Sequence, residues 1–237
     1  MESLFRFVVP PHSCSYLPSQ TSQLEYEIVR EMSAAEYLDR MKQGWRRFGF
    51  SLFHPQCPNC KACQSIRVPL ETFRANRSQK RAWKANQDLV LRIGTPKVTS
   101  EKLDLYDRFH DFQSEMKGWA DHGPKDRLSY IESFVEHPFP TEEWCYFLED
   151  SLIGCGYVDA LPGGLSAIYF FYEPELRNRS LGTFNVLKIL ESARERELPH
   201  VYLGYYVEGC RSLEYKANFE PNEVLSVGQW IAFREGK

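Results

Sequence analysis

The sequence predicts a mixed α/β (α+β) fold with a small cysteine-rich metal module at its N-terminal end. Three observations carry this. Three strand-like runs, a long helix and a further strand follow one another in the C-terminal half. Three of seven cysteines fall within Cys57–Cys63. The charge is lopsided: Arg40 to Lys97 holds 13 basic and 2 acidic side chains, a net of +11 in a chain whose formal net charge is −3. A basic segment on an acidic remainder points to an anionic partner, although basic runs are often solvated faces.

The chain has 237 residues, 43% hydrophobic and 14% aromatic, enough to bury one large core or two small ones. No apolar run approaches the roughly 20 residues of a membrane-spanning helix. Glu2 and the prolines at 10 and 11 do not read as a secretory signal, so a cytoplasmic location is expected. An odd cysteine count with three clustered fits metal binding in a reducing compartment better than disulfides.

The elements follow in order. Residues 33–43 read as a helix capped by Ser33, with Glu36 at the capping-box position and Gly44 ending it. GWRRFGFSLFHP is strand-like. IRVPLETF reads as a strand that Pro69 limits to an edge or bulge. RSQKRAWKANQ is a basic helical stretch, and DLVLRIG alternates as a half-buried strand. A boundary falls near Gly94–Pro96, giving an N-terminal domain 1–94 and a C-terminal domain 95–237. Beyond it come two helices, KLDLYDRFHDFQSEMKG and SYIESFVEH, then a three-strand meander. Ser180 caps a helix from Leu181 to about Glu197. The strand HVYLGYYV, a short helix through RSLEYKANF and a last strand EVLSVGQWIAF close the chain.

Three groups of residues carry chemistry. Cys57, Cys60 and Cys63, spaced C-x2-C-x2-C, can turn their sulfurs onto one centre. Cys14 is the candidate fourth ligand, with His12 and His54 as substitutes; the spacing admits zinc or an iron–sulfur cluster equally. Arg177, Arg179, Ser180 and Gly182 stand at the start of a helix. There free N–H groups, the positive dipole end and two guanidiniums suit a phosphate. Tyr206, Glu208, Tyr215 and Lys216 on a strand end and the short helix beyond it can orient an amine and relay a proton. Strand tyrosines are more often packing residues, so this last group is the least specific.

CSYLP, YLDRMKQGWRRFG, CPNCKACQSIRVP, RSQKRAWKANQDL and the run from YFFYEPELRNRSLGTF to YKANFEP stand in this order over nearly the whole chain. Together they resemble successive blocks of the arginyl/leucyl-tRNA–protein transferases, specifically the bacterial aspartate/glutamate leucyltransferases. The resemblance implies a GNAT-like (acyl-CoA N-acyltransferase) C-terminal domain. It also implies transfer of leucine or arginine from its charged tRNA to proteins beginning with Asp or Glu, marking them for degradation by the N-degron route. It carries over Cys14, Cys57, Cys60 and Cys63 as ligands of the family's metal or cluster module. Arg46, Arg47, the run containing Arg77, Lys80 and Arg81, and Arg179, Ser180, Leu181, Gly182, Tyr215 and Lys216 carry over in the same way. In such a reaction the basic segment would grip the tRNA, Arg177, Arg211 and Lys216 would meet the acidic acceptor, and no CoA is expected. After LYDRF the chain reads HDFQSEMKGW, a departure from the Arg-His pair and glycine-rich turn of the bacterial pattern. The alternatives are an acetyltransferase using acetyl-CoA on the RNRSLGT turn, and a non-catalytic metal-dependent RNA-binding or redox-sensing protein.

Overall fold

The computed structural model describes residues 1–120 and 123–233. The N-terminal part contains β1 (Glu2–Val8), the two-residue pair β2 (His12–Ser13) and β3 (Thr21–Ser22), β4 (Leu24–Glu31) and α1 (Ala34–Lys42). Then come β5 (Arg46–Phe48) and β6 (Ser51–Pro55). Ser33 caps α1 as expected: its hydroxyl accepts from the Glu36 amide at 3.3 Å, and the Glu36 carboxylate accepts from the Ser33 amide at 2.9 Å. GWRRFGFSLFHP folds as the β5–β6 hairpin. With β4 and β1 it makes a four-stranded antiparallel sheet in the order β1-β4-β6-β5. One face of that sheet packs on α1, burying Val29, Tyr37, Met41, Trp45 and Leu52.

The chain continues through β7 (Gln64–Pro69), α2 (Arg77–Lys84), β8 (Leu89–Gly94), α3 (Ser100–Lys117) and α4 (Arg127–Phe134). The meander β9 (Thr141–Leu148), β10 (Ser151–Leu161) and β11 (Gly164–Tyr172) follows. A 3-10 turn at Pro174–Arg179 leads into α5 (Leu181–Glu195) and β12 (His200–Tyr206). After α6 (Arg211–Glu214) and a second 3-10 turn at Tyr215–Asn218, the described chain ends with β13 (Glu223–Ser226) and β14 (Gln229–Ala232). The expected last strand is therefore a hairpin. Val227 and Gly228 take φ of 48° and 76°, the left-handed pair that a tight two-residue turn needs.

Eight strands join in the order β14-β13-β7-β12-β11-β10-β9-β8. Two of them, β7 and β8, lie within residues 1–94, so the sheet runs across the boundary expected there. β7 lies between β12 and β13 rather than at an edge. Pro69 is tolerated because it is the last residue of the strand, where a missing N–H interrupts no further ladder bond. α5 covers one face, packing Phe184, Leu187 and Leu190 on Tyr146, Val158 and Leu203. α3 and α4 cover the other with Leu105, Phe109, Tyr130 and Phe134.

The junction of β11 and β12 positions the site. These parallel strands pair only at Gly164–Ser166 with His200–Tyr202. Beyond that point β11 stays with β10 and β12 stays with β7, out to Tyr172 and Tyr206 respectively. The two strands diverge and leave a wedge between their C-terminal ends.

Candidate active site

β5 sends its two arginines to opposite faces. Arg47 enters the core, where its guanidinium donates to both oxygens of Asp159 at 2.8 and 2.5 Å and to Thr141 at 2.6 Å. Both partners are buried, with side chains 1% and 0% exposed. The resemblance placed Arg47 on the tRNA; its donors are instead consumed inside the protein.

Arg46 is also buried but has no acid among the described residues. It donates to the carbonyls of Met41 and Trp45 at 3.3 and 2.6 Å and reaches the Gly204 carbonyl at 3.5 Å. Its Nε has no partner among the described residues, and it lies over the Tyr205 ring, 5.4 Å from the centroid. Burial lowers its affinity for a proton from the usual guanidinium value. Lys216 stands beside it, donating to the Tyr205 carbonyl at 2.7 Å. No carboxylate pairs with either cation among the described residues. Burial first, and then Arg46, bring the Lys216 ammonium down to about 7, with Cys210 acting weakly against them. Gly204 beside it has φ +82°, a left-handed backbone that glycine adopts without strain. A buried amine that titrates near neutrality at the end of β12 can take a proton from a nucleophile.

The neighbouring expectations fall at different depths. Tyr206 lies in the core against Phe233, with ring centroids 4.9 Å apart. Glu208, Arg211 and Tyr215 are exposed beyond the strand end. Glu214 binds the Gly209 amide and ties that turn together.

The phosphate-type residues gather elsewhere on the sheet. Ser180 holds the expected N-cap position, its carbonyl accepting from the Phe184 amide at 3.0 Å, but with φ +57° it is also the left-handed end of the preceding 3-10 turn and its side chain makes no capping bond. The first turn of α5 is thus left without a side-chain acceptor. A Cβ at Gly182 would meet nothing within 4 Å. Arg179 is engaged with Asp88 and the Ala85 carbonyl, while Arg177 is exposed and covers Phe112 at 5.6 Å. α2 lies along α5 through Trp83 on Phe184, at 5.6 Å, and through Asn86 donating to the Arg179 carbonyl. Its Arg77, Lys80 and Arg81 are exposed. The structure therefore brings the RSQKR run and the RNRSLG turn onto adjoining helices.

Cys14, Cys57, Cys60 and Cys63 line one cleft of about 560 Å³ with His12, His54 and Tyr205. The Cys63 thiol is pushed up to about 12 by burial and by Cys14, Cys57, Cys60 and Cys210. The four thiols face one cleft, but no three of their sulfurs lie within 4.8 Å of one another, so they form an open donor set that a cation would have to draw together. Cys210 had no signal in the sequence because it stands 147 residues from Cys63. Among the described residues, the ligand atoms within 4.8 Å of one another are those of Glu143, Cys145 and Cys155, all buried. In that cluster Glu143 accepts from Lys102 at 2.5 Å and from Tyr157 at 3.3 Å.

Known proteins bear on what this geometry does. The C-terminal model of the arginine-tRNA-protein transferase family matches residues 101–226, and its N-terminal model matches residues 12–81. The chain belongs to that family. The transferase is 37% identical over 232 residues to the aspartate/glutamate leucyltransferase of Nitrosococcus oceani, covering 97% of this chain and 96% of that one. It is 37% identical to a protein of the same name from Pseudomonas fluorescens, over 95% of each chain. The Campylobacter jejuni protein of that name is 34% identical over 90% of this chain and 89% of its own. Of solved structures, FemX gives a TM-score of 0.46 at 8% identity, covering 88% of this chain and 81% of that one, too distant to argue from. Membership makes the protein an acyltransferase that draws its acyl group from an aminoacyl-tRNA and delivers it to a protein. Among the described residues, no helix is long and apolar enough to cross a membrane.

Proposed function

We propose that this transferase conjugates leucine, or arginine, from its charged tRNA to the N-terminus of proteins that begin with Asp or Glu, in the cytoplasm, as a step toward their degradation. The observation that carries this reading is near-full-length similarity to aspartate/glutamate leucyltransferases from several bacteria. The meander, α5, β12 and the wedge between β11 and β12 support a GNAT-like catalytic unit within 95–237. The basic and cysteine-bearing residues of 1–94 serve the tRNA and the metal.

In this reading the acceptor's α-amine attacks the ester carbonyl at the wedge. A C–N bond forms, the C–O bond to the tRNA ribose breaks, and the proton lost by the amine passes to neutral Lys216 and on to the departing 3′ oxygen. Arg46 and strand-end N–H groups stabilise the oxyanion. Tyr206 supports β12 from the core, while Glu208, Tyr215 and Arg211 border the acceptor path. Arg77, Lys80, Arg81, Arg177, Arg179 and the backbone at Ser180 and Gly182 meet the donor's phosphates. Cys14, Cys57, Cys60 and Cys63 hold zinc or an iron–sulfur cluster that ties the loop around Cys14 to the loop of residues 57–63.

The test is transfer of labelled leucine and arginine, each from its tRNA, to peptides starting with Asp, Glu or Ala, with acetyl-CoA assayed in parallel. Transfer from charged tRNA to the acidic peptides is expected; acetyl transfer without it would overturn the reading. Cys14→Ser, Cys57→Ser, Cys60→Ser and Cys63→Ser should each lower metal content, and Cys145→Ser should not. Full occupancy in the Cys14 variant would remove Cys14 from the ligand set.

A further inference from the structure

The four-stranded sheet buries one face on α1; the other is covered at its β5–β6 end, where Phe53 meets Tyr205 and Phe48 meets Phe134 and Tyr169, and is exposed at its β1 end. In an antiparallel pair, residues directly opposite share a face. Arg46 stands opposite Phe53, Phe53 opposite Tyr26, and Tyr26 opposite Phe7, so these four form one row across all four strands. Phe5 stands opposite Ile28, and Phe48 lies on the same face two residues from Arg46. The rings are in sequence: Phe5 to Phe7 at 5.7 Å, Phe7 to Tyr26 at 5.6 Å, Tyr26 to Phe53 at 6.2 Å, and Phe53 to Tyr205 at 6.0 Å. Phe5 is 58% exposed, Phe7 41% and Phe48 43%. The row ends at Arg46, whose buried Nε has no partner among the described residues, and at Tyr205, whose carbonyl holds Lys216.

We propose that this sheet face is a stacking platform for the unpaired 3′-terminal nucleotides of the charged tRNA, leading the aminoacyl ester inward to Arg46 and Lys216. Exposed aromatic rings on a four-stranded sheet are a recurring way to bind single-stranded RNA, because every base offers a flat π-face whatever its sequence. The donor that membership of the family requires ends in such nucleotides. An acidic acceptor would need cations along the same path, and the outer part of the row offers only rings. The nearby arginines do not alter that: Arg6 is paired with Glu25 and Arg30 with Glu2. Continuity with the candidate active site completes the case, since a base stacked on Phe53 would place its ribose beside the lone guanidinium. This inference rests on the placement of that site at Arg46 and Lys216.

The experiment uses the full chain with Phe5→Ala and Phe7→Ala, singly and together, and Val8→Ala as a control. Val8 is exposed but alternates onto the opposite face of β1. Transfer is measured as a function of charged-tRNA and of acceptor-peptide concentration, and a fluorescent ACCA tetranucleotide is titrated for binding. Loss of stacking under one base is worth about 5- to 150-fold. The double variant should therefore raise the KM for charged tRNA at least tenfold and weaken the tetranucleotide correspondingly. Phe7→Trp should restore both, and Val8→Ala should change neither. An unchanged donor KM in the double variant overturns the proposal. A raised acceptor KM instead assigns the face to the acceptor protein, and conversion of a wild-type dimer to monomers without a change in donor KM assigns it to a second copy. If Lys216→Met transfers normally, the active-site placement fails whatever the platform does.

Discussion

Arg46 and Arg47 are neighbours on one short strand, equally buried, and have opposite surroundings. Around Arg47 the charge is answered: Asp159 takes two bonds and Thr141 a third. Around Arg46 there are backbone carbonyls, a tyrosine ring and a second cation, Lys216, but no acid among the described residues. The first arrangement stabilises the fold once made and is costly only to break. The second holds two positive groups out of water without a counter-charge, a cost to stability that persists where a ligand completes the site. The same residue type at adjacent positions thus supports structure in one case and chemistry in the other, and the missing carboxylate marks which is which.

The largest expected effect lies on the paired side. Asp159→Ala leaves the Arg47 guanidinium buried and unanswered, and should cost about 3–5 kcal/mol in urea unfolding. A cost below about 1 kcal/mol would show that the pair is not the structural element the comparison makes it. On the unpaired side the sign reverses. Lys216→Met removes a buried amine and should stabilise the protein by about 1–3 kcal/mol at pH 6, while transfer falls by about 10²–10⁴, the range for losing a proton-transfer group. Destabilisation together with normal transfer would break the comparison.

The pH dependence sharpens it. The folded Lys216 titrates at about 7, whereas an unfolded lysine does so near 10.4. Between these values the unfolded chain binds the extra proton, so this group makes stability rise as pH increases from 7 toward 10. The rise should be reduced in Lys216→Met. Arg46→Gln removes a cation that opposes protonation of Lys216, so the rising limb of the pH–rate profile should move to higher pH. Each unit of movement lowers the neutral-amine fraction about tenfold at pH below the original value. An unmoved profile would separate Arg46 from the proton transfer.

The smallest effects belong to cations that are neither buried nor paired. Arg77, Lys80 and Arg81 are exposed on α2. Replacing each by Ala should leave the unfolding midpoint in place and lower the salt slope of tRNA binding by about 0.7–0.9 for each phosphate that is no longer neutralised. An unchanged affinity and slope in the triple variant would make that helix face merely solvated.

Much of the architecture was legible because local signals agreed with it. Ser33 and Glu36 marked α1, the strand-like runs broken by turn residues after residue 140 marked the meander, and the basic RSQKR run marked α2. β1 escaped because all seven of its residues are exposed and show no alternation of burial. Ser180 holds the cap position but makes no side-chain cap, because its left-handed backbone, invisible in composition, departs from the extended conformation a capping hydroxyl needs. Pro69 misled because its place at the end of β7, and not its presence, decides whether a sheet tolerates it.

The sequence by itself determined the family, the mixed α/β class and the residues with donors to offer: four spaced cysteines, a basic helix, a glycine at a helix start and a lysine after a tyrosine-rich strand. These are properties of residue type and near-neighbour spacing, and the chain carries them before it folds. Only the tertiary structure decided which cations have partners. Asp159 lies 112 residues from Arg47, and Gly204 lies 158 from Arg46. Cys210 joins sulfurs from the other end of the chain. Whether a charge is answered depends on burial and on what long-range packing sets against it, and no local spacing records that.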